Sequence, residues 1–323
     1  MLHGGALRRV EDRLEKSSLP LELYVVDPEG RITHNGAAVA QNEVKPEVVW
    51  ASLDTYLGGQ FRTFFSVAME SASVKWVQTF NAGLDLPIFR DIVRKGIRLS
   101  NSSAQAVAIA EFVMGQVLAE WYPTREYREA QAVHEWRRVS FRELSQSKWL
   151  IVGYGHIGRE VAKRAKPFGA RIVGVRRSGK RDEFVDEIGG LGDLPRLLPE
   201  ADIVVLASAL NDATRDMANA TFFARMKKGS ILVNIGRGGL MDEDALVAAL
   251  ANDTPRVAIL DVFRQEPLPK DSPLWDNPKI RISAHTSPSS GGTVARGDQL
   301  FLDNLALYAR GERLLTEVDD SFF

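Results

Sequence analysis

The sequence predicts an α/β protein of two domains, with a doubly wound parallel sheet inserted into a smaller α/β unit. Three observations predict it. Apolar runs of strand length alternate with helix-period segments along the chain. The later part carries such runs in close succession, from Trp149 to His285. A G-x-G-x-x-G pattern at Gly153, Gly155 and Gly158 directly follows the first of them and opens a helical stretch.

At 323 residues the chain is long enough for two domains, each with its own core. Hydrophobic residues make up 45% and charged residues 26%, values of a globular protein. The 41 basic and 42 acidic residues nearly cancel, and the dense basic spots are short pairs such as Arg8-Arg9, Arg137-Arg138 and Arg176-Arg177. That argues against a nucleic-acid partner. With no cysteine, disulfides, thiol catalysis and cysteine-ligated metals are excluded, and the composition suits a reducing compartment. The stretch MLHGGALRRVEDRLEKSS has no continuous apolar segment and mixes acids with arginines, unlike a secretory or transit peptide. The longest apolar stretch, 104–121, is interrupted by Gln105, Glu111, Gln116 and Glu120 and is too polar to span a bilayer. A cytoplasmic protein without a membrane partner is expected.

Taken in order, the strand-like runs of the first hundred residues are ELYVVD, PEVVWAS, VKWVQTF and GIRLS. A helix-period segment, AVAIAEFVMGQVLAEWY, then leads out of the first unit into a charged stretch rich in Arg, Glu and Trp. The second unit opens with WLIVG and continues through RIVGV, DIVVLAS, SILVNIG, VAILDVF and IRISAH. Helical stretches such as GREVAKRAK, TFFARMKK and DEDALVAALAN separate these strands, as a doubly wound sheet requires. After His285 the loop signal SPSSGG precedes a final helical segment, ARGDQLFLDNLALYARG, expected to fold back on the first unit. The expected division is an outer domain of 1–104 and 287–323 and a dinucleotide-binding domain of 105–286.

Within the glycine motif, Gly153 permits a tight turn, Gly155 the close approach of a pyrophosphate and Gly158 close packing of helix on strand. His156 and Ile157 border the same phosphates. The following strand ends in Arg176-Arg177-Ser178, where an NAD site normally places an acid against the ribose hydroxyls. Asp182 and Glu183 come several residues later. Guanidinium groups form charge-assisted bonds to a 2′-phosphate that an acid would repel, so NADP(H) is expected over NAD(H), with NAD(H) still possible. Two solvated arginines at a strand end are the plainer alternative.

Arg237, Glu266 and His285 lie just beyond strand-like runs. In an open parallel sheet the crevice outside the carboxyl ends binds ligands, so the three can share a site. A planar guanidinium at Arg237 can grip a carboxylate and an adjacent carbonyl oxygen together. His285 is the residue in this half suited to carrying a proton near neutral pH. Glu266 would hydrogen-bond the imidazole, fix its tautomer and favour its charged form. Surface turn, solvated loop and satisfied strand-end roles are the structural alternatives. No acid cluster accompanies the remaining histidines, so no metal site is expected.

GYGHIG, NIGRGG, DVFRQEPLP followed by SPLW, and the terminal-strand His285 resemble the D-isomer-specific 2-hydroxyacid dehydrogenases, in particular their glyoxylate/hydroxypyruvate reductase branch. The resemblance covers essentially the whole chain. It implies a Rossmann nucleotide domain inserted into a flavodoxin-like substrate domain, and NADPH-dependent reduction of small 2-keto acids. It further implies that Asp261 orients the nicotinamide carboxamide, that Ala207, Ser208, Ile235 and Gly236 line the cofactor site at strand ends, and that Thr214 touches cofactor. In the outer-domain loop NAGLD, the backbone around Ala82, Gly83 and Leu84 would receive the substrate carboxylate, with Asn81 adding a side-chain contact or simply making a turn. Phe80, Leu84, Trp50 or Trp76 could border the substrate, though core packing explains each equally well. The family commonly pairs through the nucleotide domain, so a homodimer is expected, with an arm from Glu120 to Arg138 against the second subunit or packed as an ordinary helix pair. Formate or phosphite dehydrogenation and a nicotinamide-sensing corepressor are the rival readings of this architecture. Glutamate at 266 favours ketone reduction over formate oxidation, and the compact chain does not suggest the disordered tails of the corepressors.

Overall fold

In the computed structural model, which describes residues 1–323 apart from the side chain of Ser321, the chain divides into two units. One comprises Met1–Gln105 and Ser290–Phe323, the other Ala106–Ser289. Among the described residues, no helix is long and apolar enough to cross a membrane.

The discontinuous unit holds β1 (Leu2–His3), β2 (Tyr24–Val26), β3 (Ile32–His34), β4 (Ala37–Ala38), β5 (Val48–Ala51), β6 (Trp76–Thr79) and β7 (Arg98–Ser100). With the C-terminal strand Glu317–Val318 they form an eight-stranded sheet, ordered C-terminal strand, β7, β6, β5, β1, β2, β3, β4. The central pairs are parallel; β3, β4 and the C-terminal strand add antiparallel edges. Alternation along these strands makes two cores. Val49, Ala51, Val77 and Leu99 face Phe64, Phe65, Phe89 and Ile92, which come from the helices at Phe61–Glu70 and Pro87–Arg94. Trp50 and Trp76 face the opposite way, towards Ala6, Val10, Leu14, Phe301 and Leu305.

The N-terminal stretch, read from the sequence only for its unlikeness to a leader, therefore forms β1 and α1 (Gly4–Lys16). Its apolar stripe of Ala6, Val10 and Leu14 has helical i, i+4 spacing, interleaved with charges that stay exposed. Trp50 and Trp76, candidates for bordering the substrate, are core residues instead, 3% and 0% exposed. Trp50 stacks on Phe301 at 4.0 Å, and the Trp76 indole N–H donates to Ser100 Oγ at 2.8 Å, so both its apolar body and its polar handle are satisfied inside.

The continuous unit carries seven parallel strands: β8 (Lys148–Val152), β9 (Arg171–Val175), β10 (Glu187–Gly189), β11 (Ile203–Leu206), β12 (Ile231–Asn234), β13 (Val257–Leu260) and β14 (Ile280–Ile282). Their order is β10, β9, β8, β11, β12, β13, β14. The chain winds outwards from β8 in one direction and from β11 in the other, so the switch point lies between those two strands. Both faces are covered, which is why the strands read as continuous apolar runs. Leu150, Val152, Val204, Leu206, Leu232 and Leu260 pack on one side with Phe222, Phe223, Leu246 and Leu250. Trp149, Ile151, Val205, Val233 and Ile259 pack on the other with Val113, Val117, Val161 and Ala162. The short strand β10 has no apolar run and was not expected from the sequence.

Register now fixes where ligands can sit. Val152 pairs with Leu206, Leu206 with Asn234, Asn234 with Leu260, and Leu260 with Ile282. All five strands thus end at one level, and the segments beginning at Gly153, Ala207, Ile235, Asp261 and Ser283 emerge along one edge.

Candidate active site

At the first of these segments the backbone of Gly153 has φ +102°, and a Cβ there would lie 2.3 Å from the Ser208 amide nitrogen. Only glycine allows the β8 and β11 ends to approach so closely. A Cβ on Gly158 would meet the Gly153 carbonyl at 2.5 Å. Gly155 differs from both, for nothing lies within 4 Å of its Cβ position. It is also the N-cap of the helix His156–Ala165 and supplies no side-chain acceptor. Open space beside helix N–H groups that lack side-chain caps is what a pyrophosphate needs, so the residues fit a dinucleotide. Ile157 packs against the core beneath. His156 titrates below the ordinary histidine range, first through partial desolvation and then through the charges of Arg159 and Arg176.

Beyond β9, Arg176 donates its amide to Gly189 O at 3.1 Å and is half-buried, while Arg177 and Ser178 are exposed. The nearby acids are already engaged. Asp182 accepts from Tyr154 Oη at 2.8 Å, Arg159 Nε at 2.8 Å and Phe184 N at 3.0 Å, and Glu183 accepts from Arg159 at 3.1 Å. Desolvation opposes the charge on Asp182, but these donors outweigh it and hold the carboxyl below its usual range.

Arg237 follows β12, with Asn234 Nδ2 donating to its carbonyl at 3.1 Å and its own Nη1 donating to Gly236 O at 2.8 Å. Gly238 then touches the segment after β13, since a Cβ on it would lie 1.8 Å from the Phe263 carbonyl carbon. That segment carries Glu266. It is stapled by Arg264, which donates to Glu243 and Met241 at 2.8 Å each and pairs with Asp216. Glu266 Oε1 accepts the Phe263 amide at 2.9 Å, and Oε2 meets His285 Nδ1 at 2.8 Å. With Nδ1 so occupied, His285 presents Nε2 on the far side of the ring. The pair is 43% and 36% exposed, so it contributes only about 0–1 kcal/mol to stability; its effect is to orient.

Several residues expected at the site are also engaged within the fold. Asp261 is 0% exposed, and its carboxylate accepts from Ser283, Thr286 and Ser287. Thr214 is 6% exposed and braces its own loop, donating to Ala209 O at 2.7 Å and accepting from Asn211 N at 2.9 Å. Ile235 is buried at 4%, leaving its backbone on the strand-end edge, whereas Ala207 and Ser208 are partly open. Gly236 lies close beneath, its Cβ position 2.9 Å from Ser208 O.

In the discontinuous unit, Leu84 is 3% exposed and belongs to the core, so only its backbone could serve a ligand. Asn81, Ala82 and Gly83 are partly exposed. Their turn is tied down by residues that sequence reasoning missed. Asn101 Nδ2 donates to Ala82 O at 2.7 Å, and Ser102 N to Asn81 O at 2.9 Å. Asn101 is itself held by Thr316, whose Oγ1 donates to Asn101 O at 2.6 Å. A trans peptide points its N–H opposite its C=O, so tethering the Ala82 carbonyl directs the Gly83 N–H away from Asn101. Gly238, Ser283 and Asn101 carry no signal in one sequence beyond glycine in a Gly-rich run and polar residues at strand ends.

The family model described as "D-isomer specific 2-hydroxyacid dehydrogenase, NAD binding domain" matches residues 114–287. An uncharacterized protein from the proB 3′ region of Corynebacterium melassecola is 35% identical over 76% of this chain and 83% of its own length. The glyoxylate reductase/hydroxypyruvate reductase of Homo sapiens is 29% identical over 76% of this chain and 77% of its own. Among solved structures, a D-isomer specific 2-hydroxyacid dehydrogenase from Xanthobacter autotrophicus Py2, in complex with NADPH and MES, superposes with a TM-score of 0.77 at 25% identity, covering 99% of this chain and 98% of that one.

Proposed function

This chain belongs to the D-isomer-specific 2-hydroxyacid dehydrogenase family, and from that membership we propose that it reduces small 2-keto acids of the glyoxylate or hydroxypyruvate kind to D-2-hydroxy acids with NADPH. The observation that carries the reading is the 2.8 Å contact between His285 Nδ1 and Glu266, on the strand-end edge that also carries Arg237 and the glycine turn.

A reduced nicotinamide, when bound, supplies the hydride. Arg237 holds the substrate carboxylate and the neighbouring carbonyl oxygen, fixing which face of the ketone is presented. As the ketone carbon gains the hydride, the C=O π pair moves onto oxygen, and that oxygen takes the proton from His285 Nε2. One hydride and one proton are thus added, the keto acid is reduced and the dinucleotide oxidised. Glu266 holds the ring in position and offsets its positive charge before the proton leaves. In the discontinuous unit, the amides around Ala82, Gly83 and Leu84, with Asn81, are proposed substrate-binding groups.

Preference for NADP(H) rests on Arg176, Arg177 and Ser178, with NAD(H) as the weaker alternative. Engagement of Asp182 and Glu183 by Arg159 and Tyr154 supports it, because acids already neutralised repel a 2′-phosphate less. A cytoplasmic homodimer completes the proposal. On the arm at 120–138 and just beyond it, Trp136 is 94% exposed, Phe141 50% and Tyr127 42%, and these exposed aromatic side chains support pairing with a second copy of this chain.

The test is a panel of 2-keto acids with NADPH and NADH. Turnover of glyoxylate or hydroxypyruvate with NADPH is expected, and tight NADPH binding without turnover of any keto acid would contradict the reading.

A further inference from the structure

We propose that Thr79 is a positioning residue for Asn81, holding the oxygen of its side-chain amide so that the NH2 is turned outwards as a donor to an oxygen of the keto acid. The inference rests on the reading of Asn81 as a substrate-binding group.

Thr79 is the last residue of β6 and is 0% exposed. Three groups meet its hydroxyl. Tyr56 Oη lies 2.5 Å from Thr79 Oγ1, Asn81 Oδ1 lies 3.2 Å from it, and the Asn81 backbone amide donates to it at 3.3 Å. A hydroxyl has one proton to give and two lone pairs with which to accept. Tyr56 Oη has no other hydrogen-bond partner among the described residues, and an enclosed donor left unpaired is rarer than an acceptor with a spare lone pair. Burial raises the pKa of Tyr56, the bond to Thr79 offsetting it only in part, so the phenol keeps its proton near neutral pH. Tyr56 therefore donates to Thr79, and the one proton of Thr79 goes to Asn81 Oδ1.

That choice orients the amide. With Oδ1 on Thr79, Nδ2 occupies the opposite branch of the Asn81 side chain. It makes no hydrogen bond among the described residues and retains exposed surface. The backbone of the turn is held by other groups: Gln105 Nε2 donates to Phe80 O, Ser102 N to Asn81 O at 2.9 Å and Asn101 Nδ2 to Ala82 O at 2.7 Å. What the Thr79 hydroxyl adds is the direction of the Asn81 side chain. Tyr56 is placed in turn by Phe61, their ring centroids 5.3 Å apart.

Thr79→Val keeps the shape and removes the hydroxyl. The Asn81 side chain is then free among about three χ1 wells and two amide directions, so roughly one arrangement in six presents Nδ2 correctly, and KM for glyoxylate should rise about fivefold. The values of kcat and of Kd for NADPH should each stay within about twofold, because a contact made equally in ground and transition states acts on KM alone. Thr79→Ser restores the hydroxyl and should bring KM back to within about twofold of the wild type. In an Asn81→Ala background, Thr79→Val should change KM by less than about twofold, since nothing is left to position.

Two results would overturn the inference. One is a rise in KM in the Asn81→Ala background as large as in the wild type, and the other is an unchanged KM in Thr79→Val. The Asn81 Cγ resonance, which moves when Oδ1 loses a hydrogen bond, gives a readout independent of turnover; it should shift in Thr79→Val and not in Thr79→Ser. If the wild-type protein reduces no keto acid, the functional reading fails, and this resonance still decides whether Thr79 holds the amide, an unshifted signal in Thr79→Val counting against it. If Thr79→Val does not fold, Tyr56→Phe removes only the donor that directs the Thr79 proton. About half of the molecules then keep Nδ2 outwards, so KM should rise about twofold, and not at all in Asn81→Ala. An equal rise in both backgrounds would contradict the proposal.

Discussion

Gly238 leaves no room for a side chain against Phe263: its Cβ position is 1.8 Å from the Phe263 carbonyl carbon and 2.1 Å from the oxygen. Arg237 and Glu266 are thus carried by two backbones in contact. Gly238→Ala must separate them, and overpacking against backbone has no flexible side chain to absorb it. A loss of about 3 kcal/mol in denaturant unfolding is expected, with turnover falling further than stability. An unchanged unfolding midpoint would show that the two segments move apart freely.

Glu266→Gln should separate orientation from stability. The pair with His285 is substantially exposed and worth no more than about 1 kcal/mol, so thermal stability should barely change. Removing the charge that offsets the imidazolium should nevertheless lower kcat by about tenfold or more, with NADPH binding unaffected. Equal kcat in the two proteins would remove Glu266 from the proposed role.

Cofactor choice is expected to respond at two places. Arg176→Asp should reverse the preference towards NADH by placing a carboxylate where the 2′-phosphate would lie. Arg159→Gln releases Asp182 and Glu183 from their guanidinium and should weaken 2′,5′-ADP binding more than AMP binding, read by calorimetry. The effect is expected near fivefold, about 1 kcal/mol, because the site is open to solvent. Equal losses for both nucleotides would mean that these residues do not read the phosphate.

His3 gives a pH dependence confined to the discontinuous unit. Its side chain is 6% exposed, Nδ1 accepts from Gly5 N at 3.0 Å, and Nε2 has no partner. Burial lowers its pKa first; Arg8 and Arg9 lower it further, against Asp54 and Asp27, which raise it. The folded state therefore binds fewer protons than the unfolded state between the two pKa values. Stability from this group is complete above about pH 6.5 and is lost as pH falls from there towards the folded-state value. His3→Asn keeps an acceptor for Gly5 and removes the titration, so the fall in melting temperature on acidification should be shallower than in the wild type. Parallel curves would show that His3 does not titrate differently on folding.

How much was legible follows from what each residue type can announce. The strands of the continuous unit were legible because a sheet covered on both faces demands unbroken apolar runs. β10 and the hairpin of β3 and β4 were not, since edge strands with few buried side chains leave no such trace. The amphipathic α1 was hidden by the charges on its exposed faces. At the site, Arg237, Glu266 and His285 stood out because their chemistry is specific and their motifs lie at strand ends. Asp261 stood out too, but no sequence shows where an aspartate spends its lone pairs. Nor does a sequence show that the Thr214 hydroxyl is satisfied by its loop's own backbone, as buried polar groups must be. Trp50 and Trp76 show the converse, large aromatics near strand ends whose fate depends on which face of the sheet they take.

Single-turnover oxidation of bound NADPH by saturating glyoxylate or hydroxypyruvate, followed at the reduced-nicotinamide absorbance, tests proton delivery by His285 most directly. The wild-type protein should complete it, whereas His285→Ala should bind NADPH with unchanged affinity and react at least about a hundredfold more slowly. Equal rates for the two proteins would contradict it.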